Sequence, residues 1–277
     1  MSEKIPIVVV NNSVSPAIQA MLEREEKRIT PQRIMYFVIA IAVLIYAGYR
    51  SGINMVELLQ GTGNMAKYIR GYFPPDFSDW QLYVQETLET IAMGLWGTIL
   101  AASLGIPLSI LASDNICPQW IVFPVRRVLD GMRAINEVVF ALIFVVAVGL
   151  GPFAGVLALF VHTAGILGKL FSEAIEAIDP GPVEGIRATG ASKLQEIIFG
   201  VIPQVMPLWI SFTLYRFEAN VRSASVLGIV GAGGIGFSLY QNIRSFKYPE
   251  VCAILIILIV AVALIDTLSA KLRQKLI

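Results

Sequence analysis

Apolar stretches alternate along this chain with short polar connectors. Ile34–Tyr49 carries no charge and is bracketed by Arg33 and Arg50; Thr90–Ala112 and Val138–Gly168 are longer charge-free runs. Pro203–Asn220 and Val251–Ala270 add two predominantly apolar segments. A helix rises about 1.5 Å per residue and about 20 apolar residues cross a bilayer. Val138–Gly168 is therefore too long for one crossing, and Gly149-Leu150-Gly151-Pro152 divides it into a tight helical hairpin. Six spans result. Ser223–Ile243 also lacks charge, but Gly228, Gly231, Gly233, Gly234 and Gly236 oppose a regular helix there. That segment reads as broken or re-entrant, buried against protein rather than lipid.

Composition supports the pattern. Of 277 residues, 56% are apolar and only 15% charged, with a mean hydropathy of +0.71, against about 25% charge in soluble domains. A net charge of +1 excludes a basic field for nucleic acid. Two cysteines, Cys117 and Cys252, and the single His162 are too few for a zinc site or a disulfide framework. With the N-terminus inside, six spans place most lysines and arginines on the cytoplasmic side, as the positive-inside rule requires. A seventh span through the glycines would expel the basic tail Lys271, Arg273, Lys275. The expected domains are a cytoplasmic N-terminal segment, 1–33, and a transmembrane domain, 34–277. Ala17–Ile29 reads as an amphipathic cytoplasmic helix and Ser51–Gln85 as the one sizeable outer loop.

The connector between the fourth and fifth spans, about 173–203, is the most informative. Asp179 caps a helix that opens with Pro180 and Pro182. Gly190 ends that helix in a left-handed conformation. Ser192 and Gln195 form a capping box for a second short helix, Lys193–Gly200. Two short helices then lie across one bilayer face, rigidly joined to spans on both sides, a geometry suited to a lever.

Glu184-x5-Gly190-x12-Pro203 resembles the coupling loop of ABC-importer permeases, with Gly185 and Ile186 where alanines are usual and Gly200 where isoleucine is usual. Val230-Gly231-Ala232-Gly233-Gly234-Ile235-Gly236 resembles a segment of methionine- and phosphonate-type permeases. Phe73-Pro74-Pro75-Asp76-Phe77, Pro124-Val125-Arg126-Arg127 and Arg133-Ala134-Ile135-Asn136-Glu137 look specifically like the phosphonate type. The resemblance implies an all-α integral membrane protein of about six helices, with the MetI-like permease fold and a cytoplasmic coupling helix. It implies a homodimeric permease subunit in a bacterial inner membrane, importing phosphonates or related phosphorus oxyanions by alternating access. Phosphite, phosphate esters and methionine stay open as substrates. Partners would be two copies of an ATP-binding subunit, a second permease copy and an extracytoplasmic binding protein. The chain has no Walker A sequence, so ATP and Mg would belong to the ATPase; it would hold no cofactor, no metal and no catalytic residue. Glu184, Gly185, Arg187, Ala188, Gly190, Ala191 and Pro203 would contact that ATPase. A stand-alone secondary transporter would call for paired intramembrane carboxylates or repeated halves, and neither is evident.

Arg216, Glu218, Asn220, Arg222 and Ser223 form one dense polar cluster at the end of a span. Ionisable groups there are costly and so are candidates for function. Arg216 or Arg222 would attract an anion, with Ser223 and Ser225 as donors. Asn136 and Asn220 complete the candidate pathway. Against that, Glu218 with Arg222, and Arg133 with Glu137, have i,i+4 spacing for helix ion pairs. His162 reads as a hydrogen-bonded span residue. Gly231-x-Gly233-x-x-Gly236 formally matches a dinucleotide fingerprint but lacks its strand–helix context and acidic residue, so a tight turn or packing site is the better reading.

Overall fold

The computed structural model describes residues 31–276, and every regular element among them is a helix or helical turn. The helix expected over Ala17–Ile29 lies outside them. The chain divides into two compact units, one ending at Ala66 and one beginning at Lys67.

The first unit holds α1 (Pro31–Arg50) and all but the last turn of α2 (Met55–Arg70), which meet at a 43° bend. Ile34, Phe37, Leu44 and Ile45 of α1 are all exposed, as on a helix whose solvent is lipid. The outer loop expected over Ser51–Gln85 is corrected here. Asn54 accepts hydrogen bonds from the Val56 and Glu57 amides and donates to the Glu57 carboxylate, and this cap starts α2. Only the stretches 51–54 and 71–79 stay outside a helix.

The second unit continues with α3 (Trp80–Ala112), α4 (Gln119–Ala134), α5 (Glu137–Val148), α6 (Pro152–Glu176) and α7 (Pro180–Ala188). After α8 (Lys193–Gln195) and a π turn (Glu196–Val201) come α9 (Ile202–Leu227), a 3-10 turn (Gly228–Val230), α10 (Ile235–Arg244) and α11 (Tyr248–Leu276). Four segments of the described chain, α3, α6, Lys193–Val230 and α11, are each long and apolar enough to cross a membrane. Counting α1 with α2 and α4 with α5 as bent spans makes six.

Helix α6 lies at the centre, packed against α3, α4, α5 and α9. Small residues let these helices approach, since packing rather than solvent exclusion joins helices in lipid. A Cβ on Gly97 would lie 2.7 Å from that of Leu159, and one on Gly94 2.7 Å from Val221. Phe171 and Trp209 stack at 5.0 Å within a core that includes Ala101, Leu167, Ile175 and Val205. At one end of the bundle, Asn115 donates to the Ile175 carbonyl (2.8 Å), and Arg126 joins the Ala112 carbonyl to Glu176.

The hairpin break falls where the glycines placed it, with Gly149 and Gly151 at φ 94° and 132°. Its first arm departs from expectation. α5 has 12 residues, about 18 Å of rise, well short of the ~30 Å hydrocarbon core. Together with α4, which meets it at 87°, it is long and apolar enough to count as one bent span. Asn136 makes that corner by accepting the Val138 amide (2.9 Å) as the α5 cap. The second short helix of the 173–203 connector is also corrected: three α-helical residues pass through the π turn directly into α9.

The glycine-rich segment is broken, as expected. Gly231, Gly233 and Gly234 all have positive φ, and a Cβ on Gly236 would fall 1.9 Å from the Ser225 carbonyl oxygen. Helix α3 anchors the break: Glu89 accepts the Gly234 amide, Thr90 the Ile235 amide and Glu86 the Ser238 hydroxyl, at 2.7–2.9 Å. These glycines are therefore a turn and a packing site against α3, α6 and α9.

Candidate functional site

Two places carry the residues singled out from the sequence. The first is the connector. Asp179 accepts the Gly181 amide at 2.9 Å, α7 ends at Ala188, and Gly190 follows at φ 83°. The Ser192–Gln195 capping box forms in both directions. Glu184, Gly185, Ala188 and Gly190 face outward, Ala191 is half-buried, and Pro203 is exposed in the first turn of α9. Arg187 instead turns back onto Glu196, donating two hydrogen bonds of 3.0 Å to the two carboxylate oxygens. Lys193 adds a third donor at 3.2 Å. The Glu196 hydrogen bonds hold the Arg187 guanidinium above its ordinary pKa.

Sequence reasoning missed three residues that shape this connector. Glu196, 5% exposed, is the acceptor of the Arg187 fork. Gln204 exchanges hydrogen bonds with Asp179 and reaches the Gly200 carbonyl, tying both ends of the loop. Gly200 lets α7 lie on the π turn, since a Cβ there would stand 3.2 Å from Val183 Cα. The signal for Gly200 was its departure from the family pattern and for Glu196 its i,i+3 spacing from Lys193; the links of Glu196 to Arg187 and of Gln204 to Asp179 span 9 and 25 positions and left none.

The second place is a polar cluster where the α4–α5 corner meets α6 and α9. Glu137 accepts from the Ser223 hydroxyl (2.8 Å) and lies 3.4 Å from His162 Nε2. The other ring nitrogen of His162 is 2.9 Å from the Ile135 carbonyl, freed by the corner. Arg216 is half-buried, and its Nε has no hydrogen-bond partner among the described residues.

The remaining candidates separate from this cluster. Asn220 is buried, donating to Thr98 (2.8 Å) and accepting from Thr163 (2.9 Å), so it pins α9 to α3 and α6. Arg222 pairs with Asp266 through 3.0 and 3.1 Å contacts, Glu218 pairs with Arg273 at 2.6 Å, and Ser225 donates to the Arg222 carbonyl. Neither i,i+4 pair forms. Arg133 takes Asp130 at 2.7 Å, because the corner removes Glu137 to another helix. Asn136 is exposed beside the cluster, its side chain committed to the cap.

Comparison with known proteins gives this geometry its class. Residues 105–276 match the family described as the binding-protein-dependent transport system inner membrane component. The chain is 40% identical to the phosphite transport system permease protein PtxC of Stutzerimonas stutzeri, over 84% of this chain and 85% of that one. It is 64% identical to the putative cryptic phosphonate transport system permease protein PhnE2 of Escherichia coli K12, over 44% of this chain and 99% of that one. The fold is similar to a chain of the inward-facing MetNI methionine ABC transporter (TM-score 0.64, 22% identity, 73% of this chain and 99% of that chain). The protein belongs to the binding-protein-dependent transport family. It is a membrane permease subunit of the ABC-importer type, not an enzyme, and its class works with an ATPase and a binding protein.

Proposed function

We propose that this chain is the transmembrane subunit of an importer for phosphonate, phosphite or a closely related phosphorus oxyanion in a bacterial cytoplasmic membrane. The observation that carries this reading is the 40% identity, along most of both chains, to a phosphite permease, with 64% identity to a phosphonate permease over a shorter stretch. Two permease copies assemble with two ATPases, which hold ATP and Mg, and a binding protein delivers substrate to the outer mouth.

The lever is α7. Its exposed face, Glu184, Gly185 and Ala188, with Gly190 and Ala191 behind it, seats on the ATPase. Arg187 and Glu196 hold the lever to the root of α9, as Gln204 does at Asp179. Closure of the ATPase pair therefore moves α9 with the lever instead of flexing a loop. Helix α9 carries Ser223 against Glu137 at the α4–α5 corner, so the same motion opens or closes the polar cluster. The pathway runs past Arg216, Ser223 and Asn136; Asn220 and Arg222 hold helices together, and Ser225 bonds within α9.

The test is uptake into proteoliposomes containing the permease, its ATPase and its binding protein, with methylphosphonate, phosphite, phosphate and methionine offered separately. ATP-dependent uptake of methylphosphonate or phosphite is expected. Uptake of methionine alone, or uptake driven by an ion gradient without ATPase, would overturn the proposal.

A further inference from the structure

His162 is the single histidine of the chain, and both of its ring nitrogens face oxygen acceptors. Nδ1 lies 2.9 Å from the Ile135 carbonyl oxygen, and Nε2 lies 3.4 Å from Glu137 Oε2. A neutral imidazole has one N–H and one lone pair. Either tautomer therefore donates on one side and turns a lone pair toward an oxygen on the other. Only the imidazolium, with an N–H at both positions, meets both acceptors. Glu137 in turn plays the part of an ionised carboxylate, accepting the Ser223 hydroxyl at Oε1 (2.8 Å) and facing the ring with Oε2. The two side chains are only 14% and 19% exposed, so water is a poor substitute for a missing donor.

The other charges on the surrounding helices are committed elsewhere or stand off. Helix α4 packs its last turn on Gly165 of α6, and its Arg133 is held by Asp130. On α6 itself, Lys169 pairs with Glu173 at 3.3 Å. Helix α9 brings Ser223, with Arg216 about two turns earlier on the same face; its Glu218 and Arg222 pair with α11. The acids of α3, Glu86 and Glu89, bind the segment after α9. Among the described residues, His162 is the one side chain within ion-pair distance of Glu137.

We propose that His162 is an imidazolium paired with Glu137, and that its second proton is a latch closing the α4–α5 corner onto α6. With the proton in place, the ring grips both sides of Asn136 at once. It holds the Ile135 carbonyl at the end of α4 and the side chain of Glu137, the first residue of α5. Through Glu137 the grip extends to Ser223 on α9. When the proton leaves, Nδ1–H keeps the Ile135 carbonyl, the shorter contact, while the bare Nε2 faces a carboxylate. Glu137 is then released from α6, and the corner is held at one point instead of two. The sign follows from linkage. A proton that two acceptors hold only in the folded state stabilises at acid pH, and that contribution is lost as the pH rises past the point where the ring gives the proton up.

The test uses the permease–ATPase complex in nanodiscs, with isotopically labelled histidine confined to the permease and a purification tag free of histidine, so that one ring reports alone. Nitrogen NMR, titrated upward from about pH 5, should find both ring nitrogens protonated in the wild type until one step removes the proton from Nε2. The melting temperature of the complex should fall by several degrees across the same step. Glu137→Gln supplies a carboxamide that donates to a bare Nε2 while its carbonyl still takes the Ser223 hydroxyl. Its His162 should bind the second proton at least about tenfold more weakly, and the melting step should move with it. His162→Phe should melt lower than the wild type at acid pH and show no step, which keeps the latch testable if Glu137→Gln does not assemble. A single proton on His162 at the lowest pH, a melting temperature indifferent to the step, or an unchanged proton affinity in Glu137→Gln would overturn the inference.

Discussion

Gly190 and Gly200 show how one residue type serves the connector for two different reasons. Gly190 sits at φ 83° in open space, so a side chain there meets nothing and only the backbone objects; the cost is about 1–2 kcal/mol. Gly200 has ordinary helical surroundings, but its added Cβ would press on the Val183 backbone at 3.2 Å and on the end of Ile186 at 3.3 Å. Backbone cannot swing aside as a flexible chain end does, so Gly200→Val should lift α7 off the π turn. We expect Gly190→Ala to lower substrate-stimulated ATP hydrolysis by a few-fold at most, and Gly200→Val to lower stimulation and uptake together, with normal membrane insertion. Full uptake by Gly200→Val would mean that α7 need not seat on α9. At the same scale, Glu196→Ala strands Arg187 and Lys193 without their acceptor. It should uncouple ATP hydrolysis from uptake, whereas Glu184→Ala, which has an outward side chain, should weaken ATPase binding itself. Co-purification of the ATPase with each variant separates the two outcomes.

Helices α9 and α11 run antiparallel, since Glu218 meets Arg273 while Arg222 meets Asp266. Glu218 is the buried member, with a side chain 7% exposed, and removing one partner of a buried pair leaves the other charge stranded. Glu218→Gln should therefore lower the melting temperature of the detergent-solubilised complex by several degrees, and adding Arg273→Gln should recover most of the loss. No recovery would mean that the pair does not join these helices. Much at this scale was legible in the sequence. Glycine and proline placed the α5–α6 turn, Asp179 and the Ser192–Gln195 box placed the connector, and glycine crowding placed the broken segment after α9. These are local signals, read from residues a few positions apart. The partners of Glu218 and Arg222 lie 55 and 44 positions away, so the sequence offered only the wrong neighbours at i,i+4. The α4–α5 corner was hidden for another reason. α4 is amphipathic and carries Arg126, Arg127, Asp130 and Arg133, so it did not look like part of a span, while the apolar run of α5 looked like a whole one. The corner depends on Asn136 as a cap and on His162, from α6, meeting the freed Ile135 carbonyl. His162→Phe removes that partner at a cost of about 1–3 kcal/mol. The change should show as a lower melting temperature with normal ATPase binding; an unchanged value would mean the corner holds without it.

For the whole molecule, the corner decides parity. Between Lys67, in the last turn of α2, and Lys193, at the start of α8, the chain runs through α3, the bent pair α4–α5, and α6. If the bent pair crosses the membrane, three crossings separate the two lysines and they face opposite sides. If α4 and α5 enter and leave by the same face, only two crossings remain and both lysines share a side. The distribution of charge favours the first arrangement, because Arg126, Arg127 and Arg133 precede the corner and the basic residues after α6 then gather on the same side as the tail. Both lysines are exposed, so a cysteine at either position is open to a membrane-impermeant thiol reagent. Cys117, half-buried, and Cys252, buried, are replaced first to remove background. A cysteine at 193 should label only in inverted vesicles and one at 67 only in intact spheroplasts. Labelling of both from the same side would show that α4–α5 re-enters instead of crossing. The Ser223–Glu137 contact would then join α9 to a re-entrant segment, and the lever could not move the two as parts of opposed spans.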